Sequence, residues 1–348
     1  MTVAAALLIV LAAASPAPIE FAGVQPQLAV VGQRVALVFG EGQTIYFAGS
    51  RDRGRTFSAP VAVPSRGSLA LGRHRGPRVA IVGETVVVTA IVAAERGAGD
   101  LFAWRSTDDG RSWSAPVRLN GVAASAREGL HGMAGAGTLV TAVWLDLRAP
   151  GTQLRASVSN DAGATWSDDR LVYESPSGTI CQCCHPSVAV SAKGDISVMF
   201  RNALDGARDL YLTASHDGGR MFEPATKLGS GTWKLDACPM DGGALVVDER
   251  GAIATVWRRE NEVFFARPGQ PEQRIGTGRD PALAIGRNQA WSVVFRGDDG
   301  VLISDEKNPA ARSLAAGAQA PVLVALDDGS WLAAWERDQR VFVAPVTR

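Results

Sequence analysis

A short motif that repeats through the first two thirds of the chain constrains its fold more than any other feature. The motif reads Ser-x-Asp-x-Gly-x-Thr-Phe at residues 50–57 and returns at 106–113 and 159–166 with Trp as its last residue. A fourth copy at 215–222 has Met221 where the others have Ser or Thr. An Asp that accepts turn N–H groups and a Gly that takes positive φ are typical of a tight hairpin turn. The repeated turns therefore predict an all-β fold.

The intervals between these turns predict the blades of a β-propeller. The copies begin about fifty residues apart, and each interval has room for four short strands, which is the signature of propeller blades. We predict one propeller domain over residues 18–348, with seven four-stranded blades, and six blades as the alternative. The last unit has three clear strands, so residues 19–23 are expected to supply its outer strand and close the ring. The units open near a Pro or a His, at residues 25–26, 76–77, 131–132, 185–186, 238–239, 280–281 and 320–321.

The N-terminus has the composition of an export signal. Residues 4–14 form an uninterrupted run of eleven apolar residues, which is too short to cross a bilayer, and small residues follow it. We interpret residues 1–17 as an export signal, although the first three residues lack the usual Lys or Arg. The predicted location is therefore periplasmic or secreted, and no second apolar stretch could span a membrane.

Net charge argues against two classes of partner. The chain has 35 Lys and Arg residues and 35 Asp and Glu residues, which gives a formal net charge of zero. A dedicated surface for nucleic acid or for anionic lipid needs clustered excess positive charge. We therefore predict no nucleic-acid partner and no binding to an anionic membrane surface.

The repeated motif resembles the Asp boxes (BNR repeats) of the sialidase superfamily. That resemblance implies a propeller whose boxes lie between third and fourth strands, on the face opposite the active site. The sialidase catalytic set does not transfer, because Gln25-Pro26 stands where an early arginine motif is expected. None of Tyr46, Tyr173 and Tyr211 lies late in the chain, where the resemblance would place the nucleophile. Sialidase-type hydrolysis is therefore not predicted, and whether the chain is an enzyme stays open.

Cysteines mark the openings of the fourth and fifth blades. Cys181, Cys183 and Cys184 fall within four residues, and Cys238 follows about fifty residues later at the next opening, one blade on. The chain is similar here to a branch of exported bacterial Asp-box proteins with Cys-x-Cys-Cys before one blade and Cys-Pro before the next. That similarity supports a cysteine site without implying an activity.

Aligning the blade openings adds further donors to the cysteines. The alignment places His131, His185 and Cys238 at one equivalent position in consecutive blades, with Met133 and Met240 two residues further on. Thiolate, imidazole and thioether groups would then meet near the channel mouth, and such a set favours Cu(I), with zinc as the second choice. The expected metal ligands are Cys181, Cys183, Cys184, Cys238, His185, Met240, His131 and Met133. His74 and His216 are interpreted as ordinary residues.

Two other interpretations of the cysteines stay open. Exported proteins oxidise their cysteines, and a bridge from the cluster to Cys238 would join adjacent blades and contribute ~2–4 kcal/mol. Free or redox-active thiols are the third alternative.

The loops between second and third strands add arginines and carboxylates to the same rim. Arginines that converge can clamp a carboxylate or sulfate, which would make the chain a propeller that binds or cleaves an acidic glycan. Arg–Asp pairs that only tie loops together are the alternative, and Asp298 joins Asp146 and Asp205 as a candidate for proton transfer. The predicted partner is a metal ion or small ligand at the channel mouth, with a protein partner as a further alternative. The expected ligand-binding residues are Arg148, Arg201, Arg208, Arg258, Arg296, Asp146 and Asp205.

Overall fold

The computed structural model describes residues 17–65, 67–95 and 97–346, and almost all of its regular structure is antiparallel sheet. The export signal predicted for residues 1–17 lies outside the described residues except for Ala17. One short 3-10 helix spans Arg287–Gln289, and within the described ranges no helix is long and apolar enough to cross a membrane.

Seven sheets form the blades of a propeller, as the repeat predicts. The first strand of the chain, β1 (Ile19–Ala22), belongs to the last blade, and the other strands follow in chain order. Blade 1 contains β2 (Val24–Val31), β3 (Arg34–Glu41), β4 (Thr44–Ser50) and β5 (Val61–Val63). Blade 2 contains β6 (Ser68–Leu69), β7 (Arg78–Val82), β8 (Thr85–Ala93), β9 (Asp100–Ser106) and β10 (Val117–Arg118). Blade 3 contains β11 (His131–Ala136), β12 (Leu139–Asp146), β13 (Gln153–Ser159) and β14 (Arg170–Tyr173).

The second half of the ring has the same plan. Blade 4 contains β15 (Ser187–Val190), β16 (Ile196–Arg201), β17 (Leu210–Ser215) and β18 (Thr226–Lys227). Blade 5 contains β19 (Ala244–Val247), β20 (Ile253–Arg259), β21 (Glu262–Ala266) and β22 (Gln273–Thr277). Blade 6 contains β23 (Arg279–Ile285), β24 (Trp291–Arg296), β25 (Gly300–Asp305) and β26 (Arg312–Ala316). Blade 7 contains β27 (Gln319–Ala325), β28 (Trp331–Arg337), β29 (Arg340–Val346) and β1.

The N-terminal strand closes the ring, which confirms the prediction for residues 19–23. Strand β1 pairs antiparallel with β29, with Ile19 opposite Val343 and Ala22 opposite Arg340. Because the two ends of the chain share one sheet, the first and last blades are held together by backbone hydrogen bonds.

The core consists of apolar layers between neighbouring blades. Val38 and Phe47 of blade 1 pack with Val88 and Trp104 of blade 2, and all four are nearly inaccessible to solvent. The second strands are buried on both faces, which explains why they are continuous apolar runs without alternation. Burial of this kind, at roughly 25 cal/mol per Å² of apolar surface, is the main stabilising term for the ring.

The four Asp boxes lie between the third and fourth strands of blades 1 to 4 and have the contacts of a tight turn. In the third box, Thr165 donates from its backbone N–H to Asp161 Oδ1 at 2.8 Å and from its hydroxyl to Asp161 Oδ2 at 2.6 Å. These bonds lower the pKa of Asp161 to about 2. In the fourth box, Asp217 accepts from the backbone N–H of Met221 at 3.0 Å but has no hydroxyl donor at that position.

Candidate functional site

The three closely spaced cysteines form one compact cluster of sulfur atoms. Cys181 Sγ lies 3.3 Å from Cys184 Sγ and 3.6 Å from Cys183 Sγ, and the Cys183 and Cys184 sulfurs are 3.9 Å apart. Cys181 and Cys184 are 4% and 1% exposed. Four thiolates held tetrahedrally at about 2.3 Å from one zinc ion would be about 3.8 Å apart. The observed separations are therefore those of thiolates that could share one ion.

The start of the cysteine loop is fixed by the second strand of blade 4. Ile180, which is 1% exposed, forms an isolated bridge with Asn202, and Cys181 N–H donates to the carbonyl of Arg201 at 3.0 Å. An apolar residue in the core and two backbone contacts thus position Cys181. With the Cys-x-Cys-Cys spacing, the thiols of Cys183 and Cys184 then lie next to that of Cys181.

Cys238 lies at the edge of this cluster. Its side chain is exposed, and it contacts the Cys183 thiol, but it is outside the group of three sulfurs that lie within 4.8 Å of one another. All four cysteines of the chain are free thiols in the structure. A bridge between the cluster and Cys238 therefore stays a prediction.

The cluster thiols are held in their protonated form. The contact with Cys183, together with burial, raises the pKa of Cys181 to about 11. Burial, with the contact from Cys181, raises the pKa of Cys184 to about 12, although the positive charge of Arg201 opposes this rise. A soft cation would replace these protons, so binding would release protons to solvent.

The strand register corrects the alignment of the histidines and Cys238. In blades 3 and 4, Val140 and Ile196 each pair with the Ser that opens an Asp box, so these two residues are equivalent. Val143 and Met199, three residues later, are therefore also equivalent. Val143 pairs with Gly132 and Met199 pairs with Ser187, so Gly132 corresponds to Ser187. His131 is therefore equivalent to Pro186. The expectation that His131 and His185 share a position was wrong.

The fifth blade departs further from the predicted alignment. Its first hairpin pairs Val247 with Ile253, as blade 4 pairs Val190 with Ile196. Counting back from these pairs shows that Gly242 in blade 5 is equivalent to His185 in blade 4. Cys238 and Met240 therefore precede the equivalent positions by four residues, and Met240 does not correspond to Met133.

Among the described residues, no histidine nitrogen joins the three cluster sulfurs within 4.8 Å. His131 is fully buried, with Nε2 3.1 Å from the hydroxyl of Thr89, and burial, then the charge of Arg78, holds its pKa well below its usual range. Met133 lines the central channel. His185 Nε2 donates to the carbonyl of Gly243 at 3.0 Å. The ring of His185 stacks on His74, with centroids 4.2 Å apart.

Two of the predicted ligand-binding residues are locked in a buried ion pair. Asp146 is fully buried and accepts hydrogen bonds from Ser125 Oγ at 2.7 Å, Trp144 Nε1 at 2.9 Å and Arg148 Nε at 2.8 Å. Arg148 also pairs with Asp169. Their hydrogen bonds tie one loop to its own blade and give no support to ligand binding by Arg148 and Asp146, which stays a prediction.

Arg201 is also a structural residue. It is 2% exposed and donates to the carbonyls of Asp241 and Arg258, each at 2.9 Å, and to that of Arg208. The guanidinium groups of Arg201 and Arg258 each lie 5.3 Å from the ring centroid of Trp233. Because its donors already bind backbone carbonyls, the structure gives no support to Arg201 as a ligand clamp, and that role stays a prediction.

The remaining predicted rim residues each contact different neighbours. Arg208 Nε donates to Ala237 O at 3.4 Å, and the carbonyl of Asp205 accepts from Lys234. Asp205 and Asp298 are exposed. Only Arg296 of the predicted ligand-binding set lines a pocket at the channel mouth.

That pocket has a volume of about 290 Å³, and polar and charged residues that the sequence did not single out line much of it. His74 Nε2 lies 2.9 Å from Asp280 Oδ1, and Asp280 N–H donates to Asp241 Oδ2 at 2.8 Å. Asp280 and Asp241 are 7% and 0% exposed. The side-chain ligand atoms of His74, Asp241 and Asp280 lie within 4.8 Å of one another, so they could also hold a cation.

A β-bulge in the first strand of blade 6 explains how Asp280 reaches His74. The register of β23 shifts between Arg279 and Ala282, and Asp280 takes φ 54°. Bulges of this kind re-aim side chains, and the two partners are far apart in sequence. The only sequence signals for the pair were the position of His74 just before Gly76-Pro77 and of Asp280 just before Pro281.

Residues 45–248, more than half of the chain, match the family described as BNR repeat-like domain. The chain belongs to this family. This membership and the fold confirm the resemblance that the Asp boxes carry. No curated protein matches the chain in sequence.

Three solved structures that share the fold are proteins that act on glycans. An α-L-arabinanase of Penicillium chrysogenum, complexed with arabinobiose, is 14% identical, with 96% of this chain and 98% of that chain covered and a TM-score of 0.58. An ulvan lyase bound to -[GlcA(1-4)Rha3S]- is 10% identical, with 96% of each chain covered and a TM-score of 0.57. A leech intramolecular trans-sialidase is 11% identical, with 93% of this chain and 68% of that chain covered and a TM-score of 0.55. At these identities the similarity shows the fold alone.

Proposed function

We propose that this BNR-repeat propeller binds one soft metal ion through the thiolates of Cys181, Cys183 and Cys184. The observation that carries the proposal is the convergence of three sulfurs at 3.3 to 3.9 Å. Cu(I) is the preferred ion, because soft thiolate donors with no oxygen ligand in the group select it, and zinc is the second choice. Cys238 beside Cys183 is available as a fourth donor.

Charge near the cluster supports the same proposal. Thiolates on one cation leave excess negative charge, and the guanidinium of Arg201 acts electrostatically on Cys184. A fixed cation close to the sulfurs stabilises the thiolate form. The N-terminal apolar segment supports a location in the periplasm or outside the cell, where the function would be metal handling or redox work.

An anaerobic titration of the reduced chain with Cu(I), in competition with a chromophoric Cu(I) chelator, tests this function. We expect one equivalent to bind, Cys184→Ser to lose stoichiometric binding, and Cys238→Ser to retain it with lower affinity. Binding by Cys184→Ser that equals the parent protein would exclude the proposed site. Fewer than four thiols after denaturation of protein never exposed to reductant would favour the disulfide alternative.

A second function, binding of an acidic glycan, is supported by the pocket at the channel mouth. Arg73 and Arg296 line it, and neither guanidinium donates a hydrogen bond to any residue that the structure describes. Two unpaired guanidinium groups on one pocket suit a carboxylate or sulfate. Two neighbours in fold, the ulvan lyase bound to a glucuronate-containing unit and the leech trans-sialidase, are associated with acidic sugars.

Calorimetric titration with a galacturonate oligosaccharide and with 3′-sialyllactose tests the second function. Arg296→Gln and Arg73→Gln are expected to weaken binding by at least tenfold, which is about 1.4 kcal/mol. Arg274→Gln is the matched control, because Arg274 is exposed on the outer strand β22 and pairs with Glu262. Absence of binding to both probes, or equal loss in the control, would refute this function.

A further inference from the structure

His74 has the contacts of an oriented base. Its Nε2 lies 2.9 Å from Asp280 Oδ1, and its ring stacks on His185. Burial raises the pKa of Asp280, but the bond with His74 and nearby positive charges outweigh burial, so the net pKa is lowered and Asp280 is ionised. Because an ionised carboxylate only accepts hydrogen bonds, Nε2 carries the proton in neutral His74. The lone pair is then on Nδ1.

The free nitrogen of His74 is open to the mouth pocket. Nδ1 has no hydrogen-bond partner among the described residues. It is also accessible to solvent, whereas Nδ1 of His185 lacks a partner and is buried. His74 lines both the mouth pocket and the channel beneath it. A ligand in the pocket would therefore meet a basic nitrogen.

The backbone around the pocket is strained. Gln25, His74, Asp280 and Ala320 all line it and take φ between 49° and 57°, a region that residues with side chains seldom adopt. Such strain persists where the surrounding structure enforces it, and it concentrates at functional sites. The strain is an observation independent of the hydrogen bonds of His74.

The carboxylates in the pocket and beside it do not form a hydrolytic pair. Glu336 accepts from Gln25 N at 3.0 Å and from Gln319 Nε2, and Asp241 accepts from the N–H groups of Asp280 and Gly243. Asp280 is bound to His74. Most glycoside hydrolases use one carboxyl group as acid and a second as base or nucleophile. The residues here supply instead a base and two unpaired guanidinium groups.

We infer that the mouth pocket is an active site in which His74, held by Asp280, abstracts a proton next to the carboxylate of a 4-linked uronate. This inference rests on the second function above, binding of an acidic glycan by Arg73 and Arg296. A 4-linked uronate is the substrate class because its carboxylate, its acidic C5–H and its leaving oxygen are on adjacent carbons. The reaction class is β-elimination.

The elimination step balances without a cofactor. His74 Nδ1 takes the C5 proton, the electron pair of that bond forms C4=C5, and the C4–O4 bond breaks. The leaving O4 takes a proton from water, and the His74 imidazolium later returns its proton to solvent. Arg73 and Arg296 would stabilise the negative charge that develops on the carboxylate as the proton leaves. Asp280 is a positioning residue, because it acts through His74.

Incubation of the full chain with polygalacturonate, alginate and hyaluronan tests the inference. The readout is the ultraviolet absorbance of the C4=C5 double bond, and binding of the same polymers is measured in parallel. His74→Gln keeps a donor toward Asp280 but has no basic nitrogen, so we expect turnover to fall by about 10²–10⁴-fold with binding retained. Arg296→Gln is expected to weaken binding of the polymer.

His216→Gln is the matched control. His216 also pairs with an aspartate, Nδ1 lying 2.8 Å from Asp195 Oδ1, but it is exposed within the fourth Asp box. Its turnover should equal that of the parent protein. Binding without unsaturated product, or wild-type turnover by His74→Gln, would overturn the inference while the glycan-binding function stands. No binding of any of the polymers would remove both.

Discussion

Replacement of Arg201 by Ala tests whether this residue stabilises the fold or binds a ligand. The substitution removes three charged hydrogen bonds, to the carbonyls of Asp241, Arg258 and Arg208, in a residue that is 2% exposed. At ~1.5 kcal/mol for each bond, the lower limit for a charged group, the loss is about 4.5 kcal/mol. The lost stacking on Trp233 adds ~0.5–1 kcal/mol. We therefore expect the free energy of unfolding to fall by about 5 kcal/mol.

The destabilisation should also reach the cysteine site. Arg201 holds the chain at Asp241, just after the Cys238 loop, and the Arg201 carbonyl accepts from Cys181 N–H. We expect Arg201→Ala to weaken Cu(I) binding because the loops that present the thiols lose their support. Urea denaturation of the metal-free reduced protein, followed by tryptophan fluorescence, measures the change in stability.

Arg258→Ala is the matched control, because Arg258 lies at the same distance from Trp233. It is half-buried, and two of its three hydrogen bonds, to Pro239 and Asn261, are 3.5 Å long. We expect a loss of ~1–1.5 kcal/mol, roughly a third of the Arg201 effect. If Arg201→Ala unfolded at the wild-type urea concentration and lost only ligand binding, the structural account of Arg201 would be refuted.

Three further perturbations test the architecture around the site. Met221→Thr restores the hydroxyl missing from the fourth Asp box, so NMR titration should show the pKa of Asp217 lower than in the parent protein, closer to the value of about 2 for Asp161; no change would contradict the box geometry. Gly242→Ala places a Cβ against the carbonyl oxygen of His185, so calorimetry should show a loss of ~1–3 kcal/mol in unfolding free energy. Wild-type stability would disprove that close approach. Because the folded pKa of Asp161 lies below the ordinary 3.8, its stabilisation is present above about pH 4 and lost as the pH falls toward 2. Asp161→Asn should therefore flatten the acid limb of the unfolding midpoint between about pH 4 and 2, and an unchanged limb would count against the assignment.

The fold could be predicted from the sequence because its information is local and repeated. Each Asp box specifies a hairpin, and the common spacing specifies the blade. Blade 7 has only three strands from the C-terminal end of the chain, and residues 19–22 supply its fourth strand by pairing with β29. The sulfur cluster was predictable for the same reason, since three donors within four residues meet without long-range information.

The rest of the site depends on register and tertiary contact. The loop before blade 5 is longer than the alignment assumed, so Cys238 lies four positions before the residue equivalent to His185. Taking His131 as the counterpart of His185 at the blade opening misplaced it by one position. Periodicity does not reveal a β-bulge, so the contact of His74 with Asp280 was not visible in the sequence. Burial also decided which arginines are free: Arg201 is enclosed by carbonyls, whereas Arg296 faces the pocket.

X-ray absorption at the metal edge of the Cu(I)-loaded protein tests the central claim most directly. The account predicts a first shell of three or four sulfur atoms, at about the 2.3 Å typical of thiolate–metal bonds, with no histidine nitrogen. No histidine nitrogen of the described residues joins the three sulfurs within 4.8 Å, so neither His185 nor His131 should contribute. A shell dominated by nitrogen or oxygen would contradict the assignment of the metal to Cys181, Cys183 and Cys184.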